Sequence, residues 1–229
     1  MKMAIPKIIH YCWFGEKKMS KTANMCLDSW KKLCPDYEIK LWNESNSPLN
    51  NEFVRSAYEQ KKYAFVADYV RTWALNKYGG VYMDTDMLLV KNLDDLLNQD
   101  MFLGYEQKEK LYLNVAMWGS IPNHQFLKDI LDFYASHTFD MNNLFYYTIP
   151  NIITREYKKY KGNNSITVYD YDWFYSFPGE MKRHKNYMDY LTTNSVSVHL
   201  WDMSWLNMKD RLKNLLKRVF CKKQNYVYT

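Results

Sequence analysis

Asn76-Lys77-Tyr78-Gly79-Gly80-Val81-Tyr82-Met83-Asp84-Thr85-Asp86-Met87-Leu88-Leu89-Val90 reads as a helix end, a tight turn and a strand that breaks at two carboxylates. Gly79 and Gly80 can take positive φ and stop the preceding helix. Val81–Met83 and Met87–Val90 are short β-prone apolar runs. Asp84 and Asp86 sit between them, where ionised side chains would be costly without a partner. At a strand end or bend, residues i and i+2 are placed to converge on one hard cation such as Mg²⁺ or Mn²⁺. The pattern is unspecific by itself, since Asp170-Tyr171-Asp172 repeats it in an aromatic stretch that reads as a surface turn. The Gly-Gly stop, the flanking strands and the upstream helix set Asp84 and Asp86 apart.

Working outward, residues 64–78 predict a strong helix. Asp68 and Arg71, spaced i, i+3, lie on one face of it among Ala64, Ala67 and Leu75. A charged pair on an apolar stripe is either an internal salt bridge or a polar site facing a cleft. Upstream, residues 6–15 predict a buried first strand ending at Gly15, with Trp13 at the strand end where open α/β sheets bind ligands. A core Trp fits that position as well. A helix over 20–33 with Ser20 as N-cap, a strand over 37–42 and a short helix over 52–61 complete the N-terminal half. Downstream, strands are expected over 101–105 and 111–119, with Asn114 interrupting the second as a structural or ligand-facing amide. A helix over 124–135, mixed helical structure over 142–161, a strand over 166–169 and an aromatic loop over 171–179 follow. The last strand, Val196 to Trp201, carries His199 in an apolar run. A hydrogen-bonded core His fits there, and so does an N-ligand that joins two carboxylates around Mn²⁺. Residues 210–223 pattern as a basic amphipathic helix.

The chain has 229 residues, 47% of them hydrophobic and 17% aromatic, which suits one large buried core and excludes a disordered protein. The net charge of +6, with basic residues concentrated near the C-terminus, favours an acidic partner such as a phosphate, a nucleotide or a membrane surface. Four cysteines form no CxxC or zinc spacing. No GxxxxGK[ST] or GxSxG occurs, and no long apolar run is present. A cytoplasmic location is expected, peripheral on the inner face of the cell membrane if the last helix docks there.

In joint order and spacing these segments resemble glycosyltransferase family 32, the DXD-motif sugar transferases. That family holds bacterial capsule and surface-polysaccharide transferases, fungal mannosyltransferases and, more distantly, glucosylating toxins. The resemblance runs through Ile5-Pro6-Lys7-Ile8-Ile9-His10 with Trp13, the block from Ala64 to Asp86, and His199-Leu200-Trp201 with Ser204-Trp205. It implies an α/β, GT-A-like (Rossmann-like) fold, a mixed, mainly parallel sheet flanked by helices, over residues 1–205, followed by the basic helix of 206–229. It implies a nucleoside diphosphate sugar donor, a glycan or lipid-linked acceptor and no nucleic acid. Asp84, Asp86 and His199 would hold Mn²⁺ or Mg²⁺, with Asp68 and Arg71 on the donor sugar. Trp13 would stack on the base, Ser204 and Trp205 would contact the diphosphate, and Asn114 would lie near the transferred sugar. Two other readings are kept beside retaining sugar transfer in capsule assembly. One is a non-catalytic carbohydrate- or lipid-carrier-binding module. The other is an Asp-nucleophile phosphohydrolase, which would want Gly-Thr where Met87-Leu88 stands.

Overall fold

The structure is a computed structural model and describes residues 3–182 and 185–202. Ser204, Trp205 and the basic helix expected over 210–223 lie outside the described residues. Among the described residues, eight strands and seven α-helices follow in this order: β1 (Ile8–Cys12), α1 (Lys21–Leu33), β2 (Glu38–Trp42), α2 (Glu52–Glu59), α3 (Tyr63–Tyr78), β3 (Gly80–Met83), β4 (Met87–Leu89), β5 (Met101–Tyr105), β6 (Leu113–Ser120), α4 (Gln125–Ala135), α5 (Leu144–Tyr147), α6 (Ile149–Tyr157), β7 (Thr167–Tyr169), α7 (Tyr171–Phe174) and β8 (Ser197–His199). Six strands form one sheet in the order β2-β1-β3-β6-β5-β7, and β4 pairs with β8 in a separate ribbon. The pairings β1–β2, β1–β3 and β5–β7 are parallel, while β6 runs antiparallel to both of its neighbours. This is the mixed, mainly parallel sheet that was expected.

Alternation along the strands fills both faces. Tyr82, Leu103, Val115 and Trp118 pack under α2, α3, α4 and α6. Val81, Met83, Phe102 and Met117 pack against α1, the β4–β8 ribbon and α7. A sheet covered on both sides reads as nearly continuous apolar runs, which is why the central strands were legible. Helix starts were legible too: the Ser20 side chain accepts from the Ala23 N–H at 3.0 Å, a standard N-cap contact.

Two segments differ from expectation. Residues 171–174 close a helical turn rather than an open loop. Val196–Trp201 contributes only Ser197–His199 as strand, and that strand leaves the main sheet to pair with β4. Tertiary pairing decided the second case, because a three-residue strand has too little periodicity to name its partner. Asp170 and Asp172 behave as turn residues: Asp170 precedes α7 and pairs with Lys110, and Asp172 accepts from Thr192 at 3.1 Å and Asn194 at 3.0 Å.

The turn that ends α3 is fixed by His10 and the two glycines. His10 Nδ1 accepts from the Trp42 indole N–H at 3.1 Å, so Nε2 carries the proton and donates to the Gly79 carbonyl at 2.8 Å. Burial pushes the His10 pKa down to about 4, so the ring is neutral in this role. Gly79 and Gly80 have φ of +65° and +102°, and a Cβ on Gly80 would lie 2.6 Å from the Ile8 carbonyl oxygen. Gly162 also has positive φ, +86°, but open space around it. Gly80→Ala should therefore cost at least about 3 kcal/mol by urea unfolding and Gly162→Ala only about 1 kcal/mol, since the first adds a clash to the backbone strain. Equal losses would show that the approach of β1 to Gly80 does not constrain this turn.

Candidate active site

The site lies at the sheet edge where β1 and β3 end and β6 begins. Asp84-Thr85-Asp86 is a tight turn between β3 and β4, closed by the Met87 N–H donating to the Asp84 carbonyl at 2.9 Å. The two carboxylates thus meet through a bend and not along an extended strand. The Asp84 N–H donates to the Ala116 carbonyl at 2.7 Å, which anchors the turn to β6.

Arg71 holds the other side. Its Nη2 lies 3.1 Å from Asp68 Oδ1 and 3.1 Å from Asp84 Oδ1. Nη1 donates to Asp84 Oδ2 at 3.4 Å and to the Val115 carbonyl at 3.1 Å, and Nε donates to the Ala67 carbonyl at 3.4 Å. The guanidinium also lies 4.5 Å from the Tyr82 ring centroid, and the Tyr82 hydroxyl donates to Asp84 Oδ1 at 3.0 Å. The Asp68–Arg71 pair is therefore internal, and every N–H of Arg71 already has a protein acceptor. A sugar hydroxyl would have to displace one of them, so Arg71 is a positioning residue for Asp84. Asp68, which also accepts from the Ile149 N–H, is pushed up to about 7 by burial, against the pull of Arg71. Burial raises Asp84 as well, again opposed by Arg71.

The β4–β8 register places Met87 opposite His199 and so delivers His199 to the turn. His199 Nε2 is 3.2 Å from Asp86 Oδ1, and the Asp202 N–H donates to Asp86 Oδ2 at 2.8 Å. Burial works against both charges. The contact overrides it, holding Asp86 below the usual carboxylate range and His199 above the usual imidazole range. Trp201 lies over the His199 ring with centroids 3.9 Å apart, and His199 Nδ1 is buried with no hydrogen-bond partner among the described residues.

A divalent cation fits this donor set in one way. Among the described residues no group of three or more His, Cys, Asp or Glu is disposed to bind an ion alone. Asp86 and His199 offer an O/N pair already in contact. Mg²⁺-type ions are commonly held by one or two protein ligands, with phosphate oxygens and water completing the shell. Asp84 is drawn toward Arg71 and Tyr82, yet each carboxylate oxygen has lone pairs to spare for a shared role.

The remaining expected residues divide. Trp13 belongs to neither core cluster; it is half-exposed, and its indole N–H donates to the Lys17 carbonyl at 2.6 Å. It stands outside both core clusters, at the end of β1. Asn114 is committed to the protein, accepting from the Ala116 N–H at 2.7 Å and donating to Glu106 Oε2 at 3.0 Å. Tyr82 and Trp201 were quoted in the sequence motifs but given no site role, and Glu106 was not named. The alternation that puts Tyr82 two residues before Asp84 could have pointed to it, whereas Glu106 sits in a polar loop with no pattern.

The model of the glycosyltransferase sugar-binding region containing the DXD motif matches residues 20–103, the segment that builds α1 to β5. In this segment the chain is similar to the DXD-motif sugar transferases. Over 218 residues it is 28% identical to an uncharacterized glycosyltransferase of Acanthamoeba polyphaga mimivirus, covering 88% of this chain and 84% of that protein. It is 30% identical to a mannosyl phosphorylinositol ceramide synthase of Saccharomyces cerevisiae, over 86% of this transferase but 53% of the yeast protein. Among solved structures, a PaToxG glycosyltransferase superposes with a TM-score of 0.59 at 22% identity, covering 70% of the transferase and 72% of that chain. The shared architecture is the GT-A fold.

The geometry ranks the residues around Arg71. Arg71→Ala should cost about 3–5 kcal/mol in urea unfolding, because it leaves Asp68 and Asp84 without their cation. Asp84→Ala should cost much less, since Arg71 keeps Asp68 and the Val115 carbonyl. If the two variants were equally destabilised, Arg71 would not be the hub.

Proposed function

We propose that this transferase moves a hexose from a nucleoside diphosphate sugar to a lipid-linked or glycan acceptor, with retention of anomeric configuration, aided by Mn²⁺ or Mg²⁺. The observation that carries the reading is the Asp86–His199 contact of 3.2 Å at the sheet edge, the edge at which β1 ends just before the half-buried Trp13. In this scheme Trp13 stacks on the base. Asp86 and His199, supported by Asp84, would hold the ion, which would supply positive charge for the leaving diphosphate. Arg71 and Tyr82 fix Asp84 so that the turn keeps its shape while substrates exchange. Trp201 keeps the imidazole plane oriented, as outer contacts of ion-binding His residues do. Ser204 and Trp205, two and three residues after Asp202, remain the candidates for the diphosphate.

Two features support an amphiphilic acceptor. The yeast relative is by name a ceramide-lipid synthase. Large apolar side chains are also unusually exposed on segments that adjoin the site: Leu111 is 62% exposed just before β6, and Phe145 is 72% exposed in α5, close in sequence to the Ile149 amide that caps Asp68. Exposed apolar surface of this kind marks interaction sites. No helix among the described residues is long and apolar enough to cross a membrane. We place the enzyme in surface glycan assembly, capsular polysaccharide included, at the cytoplasmic face of a membrane, with the basic segment 210–223 available to dock on anionic lipid.

The test is a thermal-shift panel of UDP-glucose, UDP-galactose and GDP-mannose with and without MnCl₂. A ligand that binds only the folded state raises the melting temperature. At least one donor should stabilise the wild type in a Mn²⁺-dependent way, and Asp86→Ala should abolish that dependence and lower turnover at least about a hundredfold. Trp13→Ala should weaken the same donor by about 1–3 kcal/mol, by analogy with base–aromatic stacking in nucleic-acid binders. No shift with any donor would favour the non-catalytic reading instead.

A further inference from the structure

Four strands present chemistry at one edge of the sheet. Trp13 follows β1, the Asp84–Asp86 turn follows β3, Asn114 stands at the start of β6 and Glu106 follows β5. β6 runs antiparallel to β3 and β5 antiparallel to β6, so the end of β3, the start of β6 and the end of β5 fall on the same edge. The strand order β1-β3-β6-β5 therefore sets Trp13, the two Asp residues, Asn114 and Glu106 out in a line. With strands about 4.8 Å apart, the line spans three gaps, on the order of 14 Å.

On the transferase reading, on which this inference rests, the ligand has a direction along that line. The base lies at Trp13 and the diphosphate at Asp86 and His199. The transferred sugar then continues past β3, over β6 and β5. Glu106 is the carboxylate at that end. Its Oε2 accepts from Asn114 Nδ2 at 3.0 Å, and no hydrogen bond to Oε1 occurs among the described residues. The side chain is half-buried. Asn114 in turn is fixed by the Ala116 N–H at 2.7 Å, and the Ala116 carbonyl holds the Asp84 N–H at 2.7 Å. One chain of hydrogen bonds thus ties Glu106 to the carboxylate turn.

We infer that Glu106 binds a hydroxyl of the transferred sugar through its second carboxylate oxygen, and that it helps determine which sugar the enzyme accepts. Asn114 is then a positioning residue that acts through Glu106. A carboxylate suits this task because it accepts from two donors at once and makes stronger hydrogen bonds than a neutral acceptor.

The experiment measures kcat/KM of the full chain with UDP-glucose, UDP-galactose and GDP-mannose, and Kd for UDP and GDP with Mn²⁺ by calorimetry. The variants are Glu106→Gln, Glu106→Ala and Asn114→Ala. Glu106→Gln keeps the shape and the Asn114 contact, so it should fold and bind nucleotide as the wild type does. Its kcat/KM on the preferred donor should fall about tenfold, and that of Glu106→Ala about a hundredfold, the range expected for losing a charged hydrogen bond. Selectivity among the three sugars should narrow in both, and Asn114→Ala should shift it in the same direction. A structural role alone would change stability and leave sugar selectivity as it was. Unchanged kcat/KM and selectivity in Glu106→Gln and Glu106→Ala, with nucleotide binding intact in the wild type, would overturn the assignment of Glu106 alone. Failure of the wild type to bind UDP or GDP would overturn the transferase reading and this assignment with it.

Discussion

A guanidinium removed from water needs acceptors for five N–H bonds, and Arg71 finds them in three elements: α3 itself, the β3–β4 turn and β6. Leaving such a group unpaired would be far more costly than any single contact it makes. The arrangement of α3, the turn and β6 is therefore set by one buried cation. Because Asp84 is tied on both oxygens, the turn presents Asp86 in a fixed place. The fold and the site depend on the same ion cluster, and a change at Arg71 acts on both.

The cluster is unbalanced in a way that suits its chemistry. Asp68 and Asp84 contact one permanent cation, Arg71, Asp86 contacts an imidazole, and Glu106 is tied to the same edge through Asn114. Burial raises Asp68 and Asp84, and a neighbouring carboxylate adds to the rise in each. The surplus of carboxylates favours a further cation, which a metal–diphosphate complex would bring. Asp86 completes its surroundings from far along the chain, since the Asp202 amide that holds it is 116 residues away. The Ser20 hydroxyl that caps α1 also donates to Asp202, at 2.8 Å, so the first helix and the last strand are fastened beside the site.

Much of this was legible in particular residues. The Gly79-Gly80 stop, the apolar runs on either side of Asp84-Thr85-Asp86 and the Ser20 cap each have a local cause, so local reading found them. The partnership of Asp68 with Arg71 was legible as helix spacing, but its burial was not, because spacing does not say which face meets the core. Trp13 was open between core and ligand for the same reason. Only the folded chain shows that Trp13 stands outside both core clusters.

The sequence by itself determined the element order, the buried sheet and the carboxylate turn, since these follow from glycine conformation, apolar periodicity and helix capping over a few neighbouring residues. Tertiary structure alone decided that β8 leaves the sheet to bring His199 to Asp86, that Arg71 spends all its donors on the protein, and that Glu106 joins the site through Asn114. Each of these is a contact between segments distant in the chain, made by short or polar stretches whose pattern carries no record of the partner. Such contacts are fixed by the requirement that buried polar groups be satisfied, and that requirement can be read only once the chain is folded.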